Sequence, residues 1–179
     1  SHGINTFIVE SNWPGVQIGN KENKMGIRAS DTRSISFQDV IVPKENRIGD
    51  DGFGFTFAMK TLAGGRIGIA SQALGIAQGA MDRAVAYSKE RKAFGVPIKN
   101  HQIIQFKLAD MATRIEAARM LCLKAAWEKD HNVDYSQSSS MAKVFASETA
   151  MWVTTEAVQI HGGYGYVKEY HVERLMRDA

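Results

Sequence analysis

The hydrophobic pattern of the 179-residue chain changes near residue 50. Before that point, apolar and polar residues alternate in short runs at Asn5–Glu10, Val16–Ile18 and Ser34–Val42, which is the spacing of β-strands. Even about four short strands in this length would be too few to close a sheet and cover its edges. We therefore predict that residues 1–50 are part of a β domain.

From Gly52 onward, apolar residues recur every three or four positions, as they do on one face of an amphipathic helix. The predicted long helices are Gly52 to Arg91, the stretch between residues 97 and 130, and a third that has Ser136 as N-cap and ends at Gly162-Gly163. A fourth helical element is predicted to begin near Tyr170. Long helices with short connections are typical of an antiparallel bundle, so the predicted fold is mainly α, with the partial β domain first.

Composition and charge narrow the class of protein. The apolar fraction of 44% and the charged fraction of 23% are those of an ordinary globular protein. The net charge of +3 comes from interspersed residues, which argues against nucleic-acid binding. No apolar run reaches the roughly 20 residues that span a bilayer, so we predict no membrane contact. The five histidines lack metal-ligand spacing, and no metal site is predicted.

The first predicted helix is unusually rich in glycine. Its glycines are Gly64, Gly65, Gly68, Gly75 and Gly79. Each costs a helix about 1 kcal/mol relative to alanine, so something must offset the loss. Two interpretations stay open: close helix–helix packing, or a ligand that lies against the backbone at Gly64 and Gly65, beside the cation Arg66.

Two other segments could bind an anion. Arg91 lies at the C-terminus of the first predicted helix, where a cation either complements the helix dipole or binds phosphate oxygens with its planar fork. Gly162, Gly163 and Gly165 follow the third predicted helix. One glycine suffices to end a helix, whereas three leave backbone N–H groups sterically open to a phosphate or cofactor.

Several motifs together resemble the acyl-CoA dehydrogenases, most of all the short-chain, butyryl-CoA type. Residues 159–169 and the final Arg-Asp-Ala are similar to the C-terminal signature of that family. Residues 24–43 resemble the second half of its middle β domain, and residues 64–70 and 91–95 resemble its first C-terminal helix and its flavin-contacting turn. The resemblance implies a partial middle β domain at residues 1–50. It implies that residues 51–179 are the C-terminal helical bundle, truncated in its last helix region.

The resemblance also implies a cofactor, FAD, bound between the β domain and the bundle at a subunit interface. The implied contacts on its pyrophosphate and adenine side are Arg91, Phe94 and Gln102. The implied contacts at its adenosine end, contributed across the interface, are Gln159, Ile160, His161, Gly162 and Gly163. The residues implied to lie along the acyl-CoA substrate are Ala63, Gly64, Gly65 and Arg66.

The implied reaction is the α,β-dehydrogenation of a short- to medium-chain acyl-CoA to trans-2-enoyl-CoA in fatty-acid β-oxidation. In this family a glutamate removes the pro-R α-proton, a hydride leaves the β-carbon for flavin N5, and electron-transfer flavoprotein accepts the electrons. The resemblance implies a homotetramer, located in the mitochondrial matrix of a eukaryote or in the cytoplasm of a bacterium.

No residue of this sequence is assigned as the catalytic base. In short- and medium-chain members the glutamate follows the Arg-Asp-Ala element, so we expect it beyond Ala179; a minority of the family uses a position that is Gly65 here. We therefore expect these 179 residues alone not to turn over substrate. Two alternatives stay open: an acyl-CoA oxidase-like flavoenzyme that uses oxygen, and a non-catalytic helical oligomerisation module.

Overall fold

The computed structural model describes residues 3–179, which divide into two compact units that meet in sequence between Leu62 and Ala63. In the first unit, strand β1 (Val16–Lys21) pairs antiparallel with strand β2 (Arg33–Phe37). Val16 lies opposite Phe37, and the register shifts by a bulge before Lys21. The first unit thus contains the β structure that the alternating pattern predicts.

The strand prediction was too generous at both ends of this unit. Asn5–Glu10 forms no strand: its one β-bridge joins Phe7 to Arg47. The predicted run to Val42 stops at Phe37, because Asp39 adopts a left-handed backbone conformation with φ of 50° that ends the extended chain. The alternation of apolar and polar residues predicts an extended chain, but it does not identify the neighbouring strand with which that chain must pair to form a sheet.

Helices make up most of the second unit, and the predicted mainly α fold is confirmed. The helices are α1 (Gly54–Glu90), which begins in the first unit, α2 (Gln102–Asp130), α3 (Ser136–His161) and the short α4 (Val172–Asp178). A small hairpin of strands β3 (Lys92–Ala93) and β4 (Val96–Pro97) connects α1 to α2. Within the second unit, Lys129 near the end of α2 lies against Gly64, and Lys107 near the start of α2 pairs with Glu156 near the end of α3. Helix α2 therefore runs antiparallel to both α1 and α3.

Small side chains dominate the core of the bundle. The buried apolar side chains of α1 are Ala70, Ala73, Ala77, Ala80 and Ala84, at the three- and four-residue spacing of one helix face. Helix α3 presents Ala142, Ala146 and Ala150 in the same way, all fully buried. Alanine at these contacts lets helix axes approach closely, and the larger Met111 of α2, also fully buried, fills space between them.

The ends of α3 differ from the predicted caps. Ser136 is the first helical residue, and the N-cap position belongs to Tyr135, which makes no side-chain cap bond. The carboxylate of Asp134 accepts hydrogen bonds from the backbone N–H and the hydroxyl of Ser136, and so stabilises the start of the helix instead. Gly162 does end α3, but with φ 58° and ψ −133° it leaves the αL region for one that only glycine enters readily.

Two threonines of α3 give a matched stability prediction. The Thr149 hydroxyl is buried with no hydrogen-bond partner among the described residues, whereas the Thr154 hydroxyl donates to the Ala150 carbonyl at 2.7 Å. Thr149→Val is expected to raise the free energy of unfolding by about 1 kcal/mol, since it removes an unsatisfied polar group. Thr154→Val is expected to lower it by about the same amount. Urea unfolding measures the free energy of unfolding of both variants. A Thr149→Val protein that is less stable than Thr154→Val would contradict this description of the core.

None of the helices in the described residues combines the length and the apolar character that crossing a membrane requires.

Candidate functional site

A pocket of about 460 Å³ opens where the end of α1 meets the end of α3. Its lining residues are Tyr87, Arg91, Ile98, Ile160, His161, Gly162, Gly163, Tyr164 and Val167. The sequence between α1 and α2 is a tight hairpin followed by a short 3₁₀ turn, so Ile98 returns to the end of α1, where its N–H donates to the Arg91 carbonyl at 2.8 Å. The pocket thus combines residues that are distant in sequence within one end of the bundle.

Five of the eight predicted cofactor residues line this pocket: Arg91, Ile160, His161, Gly162 and Gly163. The structure therefore brings the predicted anion clamp and the predicted glycine turn to one place. Tyr87 and Tyr164 line the pocket as well and were missed by the sequence reasoning. Tyr87 carried a usable signal, because it precedes Arg91 by one helical turn and so lies on the same face of α1.

Arg91 supplies the positive charge of the pocket. Its guanidinium lies 5.7 Å from the centroid of the Tyr164 ring, in cation–π geometry. No carboxylate lines the pocket, and within residues 3–179 no ion pair involves Arg91. A guanidinium held by an aromatic face and lacking a counter-ion keeps all its N–H donors for an anionic ligand.

The glycines of the turn after α3 have different reasons to be glycine. Gly162 needs its positive φ, whereas a Cβ at Gly163 would meet no atom within 4 Å. Gly165 is buried, and a Cβ there would lie 2.4 Å from the backbone oxygen of Val158. Gly165 therefore lets the turn fold back on α3, and Gly163 leaves open space beside the pocket.

Tyr87 and His161 pack against each other at the pocket. Their rings stack at 4.3 Å with an interplanar angle of 20°, and Tyr170 meets the Tyr87 ring edge-on at 5.7 Å. Burial lowers the pKa of His161, although the hydrogen bond to the Ala157 carbonyl acts in the opposite direction. Burial raises the pKa of Tyr87, against a lowering influence of nearby Arg91. Both side chains are therefore neutral near neutral pH.

The lowered pKa of His161 predicts a pH-dependent stability. An unfolded histidine binds a proton near its ordinary pKa of about 6.5. Between that value and the lower folded pKa, the unfolded state binds more protons, so the free energy of unfolding falls as pH decreases through this window. Urea unfolding measures how much the free energy of unfolding falls between about pH 8 and about pH 5, and we expect this fall to be smaller in His161→Gln than in the wild type. His131→Gln, at the exposed end of α2, is the control; a loss that is unchanged in His161→Gln contradicts the prediction.

The other three predicted cofactor residues lie outside the pocket lining. Phe94 is 96% exposed at the tip of the β3–β4 hairpin, where its φ of 54° turns the chain, and its ring meets His101 edge-on at 5.9 Å. Gln102 is exposed at the first position of α2, and Gln159 is exposed near the end of α3. Their predicted contacts with FAD stay predictions.

The predicted substrate segment, Ala63–Arg66, lies toward the other end of α1. Arg66 and Tyr87 are 21 positions apart, which is about 30 Å along a helix. Arg66 reaches the Ser140 hydroxyl at 3.4 Å. The predicted substrate segment and the pocket therefore lie apart in one copy of the chain.

The glycines of α1 are not explained by packing within this chain. A Cβ at Gly65, Gly68 or Gly75 would meet no atom within 4 Å, and one at Gly64 would meet only the flexible end of Lys129. Of the two interpretations, packing between described helices is therefore not supported. The exposed glycine face is available to a ligand or to another copy of the chain.

No group of three or more histidine, cysteine, aspartate or glutamate side chains within residues 3–179 is arranged to hold a metal ion.

Comparison with known proteins agrees with the fold. The sequence profile of the acyl-CoA dehydrogenase C-terminal domain matches residues 52–179. The chain is 56% identical over 179 residues to the short-chain specific acyl-CoA dehydrogenase of Megasphaera elsdenii, which covers all of this chain and 47% of that protein. The structure of butyryl-CoA dehydrogenase from Megasphaera elsdenii matches with a TM-score of 0.97 and 56% identity, over 99% of this chain and 46% of that one.

The chain belongs to the acyl-CoA dehydrogenase family. It is also 51% identical over 179 residues to the caffeyl-CoA reductase–Etf complex subunit CarC of Acetobacterium woodii, covering 100% of this chain and 47% of that protein. The chain spans about half the length of the curated relatives it matches.

Proposed function

We propose that the full-length protein is an FAD-dependent acyl-CoA dehydrogenase that converts a short- to medium-chain acyl-CoA to the trans-2-enoyl-CoA in fatty-acid β-oxidation. Family membership and the names of the Megasphaera elsdenii relatives support this reaction and substrate class. The observation that carries the proposal is the pocket itself, where the unpaired cation of Arg91 lies beside a glycine turn with open backbone.

The chemistry of the pocket fits the adenosine diphosphate half of FAD. Arg91 would hold a pyrophosphate oxygen with its fork of N–H donors. Gly162 and Gly163 would admit the nucleotide close to the backbone. Ile98 and Ile160 offer apolar surface to a base. When bound, FAD supplies the acceptor for the hydride that leaves the β-carbon of the substrate.

We place the substrate along the start of α1 and the adenosine end of FAD at the pocket, and we propose that two copies complete each site. The separation of about 30 Å between Arg66 and Tyr87 along α1 supports this division. The exposed glycine face of α1 supports it as well, since no described residue lies within 4 Å of a Cβ built at Gly65, Gly68 or Gly75. A homotetramer is the assembly we propose for the full-length protein.

The remaining roles are proposals on the family alone. The catalytic base is proposed to be a glutamate outside these 179 residues. Electron-transfer flavoprotein is the proposed electron acceptor; a relative named as a subunit of a caffeyl-CoA reductase–Etf complex supports that choice. The proposed compartment is the mitochondrial matrix in a eukaryote and the cytoplasm in a bacterium.

The direct test of the reaction is anaerobic addition of butyryl-CoA to the purified full-length protein. We expect the visible flavin absorbance to bleach and the electrons to pass to electron-transfer flavoprotein. Rapid reoxidation by oxygen with peroxide formation would indicate an oxidase instead. A purified protein that contains no flavin and binds none would favour a non-catalytic oligomerisation module and overturn the proposal.

A further inference from the structure

His161 presents a hydrogen-bond acceptor at the pocket. Its Nδ1 lies 2.7 Å from the Ala157 carbonyl oxygen, which can only accept, so Nδ1 carries the proton. In a neutral imidazole the other nitrogen, Nε2, is then an acceptor. His161 is 4% exposed and lines the pocket, and no group in the described part of the chain hydrogen-bonds Nε2.

Tyr87 holds this imidazole in place. Its ring stacks on His161 at 4.3 Å, while Tyr170 meets the imidazole at 5.9 Å and 69°, so aromatic rings pack against it from two sides. Tyr87 also belongs to the last turn of α1, where its carbonyl accepts the Arg91 N–H at 2.9 Å. The last turn of α1 therefore positions both the Arg91 cation and the Tyr87 ring that supports His161.

Charge favours the neutral form of His161 as well. The ionisable groups that pack on His161 or line the pocket with it are Tyr87 from α1, Arg91 directly after that helix, Tyr164 from the glycine turn, and Tyr170 from the 3₁₀ turn that follows. None is a carboxylate, so a protonated imidazole would find no counter-ion beside it. The pocket thus combines one cation for a phosphate with one neutral acceptor for a hydrogen-bond donor.

We propose that His161 determines specificity for the adenosine half of FAD by accepting a hydrogen bond at Nε2 from an O–H or N–H of the nucleotide, and that Tyr87 is the positioning residue for His161. This inference rests on the proposed function, because it takes FAD as the ligand of the pocket. A ribose hydroxyl and the amino group of adenine can both donate this hydrogen bond. Two FAD analogues, each lacking one of these donors, distinguish them in the test.

The test measures Kd for FAD and for two analogues with the full-length apoprotein, by calorimetry. One analogue lacks the ribose hydroxyls of the adenosine, and the other lacks the amino group of the base. The wild type is expected to bind one analogue about five- to tenfold more weakly than FAD, and that analogue identifies the donor. His161→Phe keeps an aromatic ring but removes the acceptor, so it is expected to weaken FAD binding by the same factor and to bind the identified analogue as well as FAD.

Variants of Tyr87 separate positioning from contact. Tyr87→Phe retains the stacked ring and is expected to discriminate between FAD and the analogue as the wild type does. Tyr87→Leu loses the stack and is expected to lose most of that discrimination. Tyr166→Phe, at a residue that is 89% exposed and outside the pocket lining, is the control and is expected to match the wild type.

Two results would overturn the inference while leaving the proposed function intact: a wild type that binds FAD and both analogues equally, or a His161→Phe protein that keeps the full discrimination. Thermal unfolding of each apoprotein checks that the variant is folded. Should His161→Phe fail to fold, His161→Gln, whose amide oxygen can accept, replaces it and is expected to restore part of the discrimination relative to His161→Ala. Failure of the wild type to bind FAD at all would instead refute the proposed function.

Discussion

Replacing Arg91 by alanine is expected to raise the Kd of the full-length protein for FAD by about 10- to 100-fold. A hydrogen bond to a charged group contributes about 1.5–3 kcal/mol, and tenfold in Kd corresponds to about 1.4 kcal/mol. Among the described residues that line the pocket Arg91 is the one cation, and it has no carboxylate partner within residues 3–179 to lose in the variant. Calorimetric titration of the apoprotein with FAD measures the change.

Two further variants make the Arg91 result specific. Lys92→Ala removes the neighbouring cation, which is exposed and does not line the pocket, and is expected to change Kd less than about threefold. Arg91→Lys keeps the charge but not the planar fork, so it should recover only part of the affinity. Equal losses in Arg91→Ala and Lys92→Ala would mean that FAD responds to general surface charge, and would refute a phosphate contact at Arg91.

Gly165→Ala is expected to lower the free energy of unfolding by about 1–3 kcal/mol. The added Cβ would lie 2.4 Å from the Val158 oxygen and 3.0 Å from two other backbone atoms of Val158. Backbone atoms of a packed helix cannot rotate away as a side chain can, so the turn after α3 would have to shift. Because Gly162 and Gly163 belong to the same turn, FAD binding should weaken together with stability. Urea unfolding and FAD titration measure the two effects.

Gly163→Ala is the matched control for this experiment. The position lies two residues away in the same turn, and a Cβ there meets no atom within 4 Å. Its stability should stay within about 0.5 kcal/mol of the wild type, although its methyl group borders the pocket and can weaken FAD binding. A Gly165→Ala protein as stable as Gly163→Ala would show that the turn does not need the close approach to Val158.

Most helix ends could be predicted closely from sequence because their determinants are local, although α2 begins at Gln102, several residues after the predicted break at Pro97. The spacing of apolar residues and the glycine after His161 predicted the end of α3. The predicted start of α1 at Gly52 is two residues from the observed start at Gly54. The run Asn5–Glu10 was assigned to a strand wrongly, since pairing depends on a partner that alternation does not identify. Asp134 was missed as the group that stabilises the start of α3, because Ser136 alone already fits the N-cap preference.

The parts of the candidate site that depend on residue type alone could be predicted from the sequence. An arginine at a helix end and a cluster of glycines are both typical of anion binding, and Arg91, Gly162 and Gly163 line the pocket. Tyr164 could not be assigned, because its role depends on the fold of the turn that brings its ring to Arg91. The reason for the α1 glycines was open between two interpretations, and only the structure shows that Gly65, Gly68 and Gly75 face open space in the chain.

The central claim is that the pocket between Arg91 and the glycine turn binds the adenosine half of FAD. Photolabelling of the full-length protein with 8-azido-FAD, followed by peptide mapping, tests it most directly. We expect the label to fall on peptides from residues 87–102 or 159–167, to be lost in Arg91→Ala and to be retained in Lys92→Ala. Label confined to other segments, or label at these segments that persists in Arg91→Ala, would contradict it.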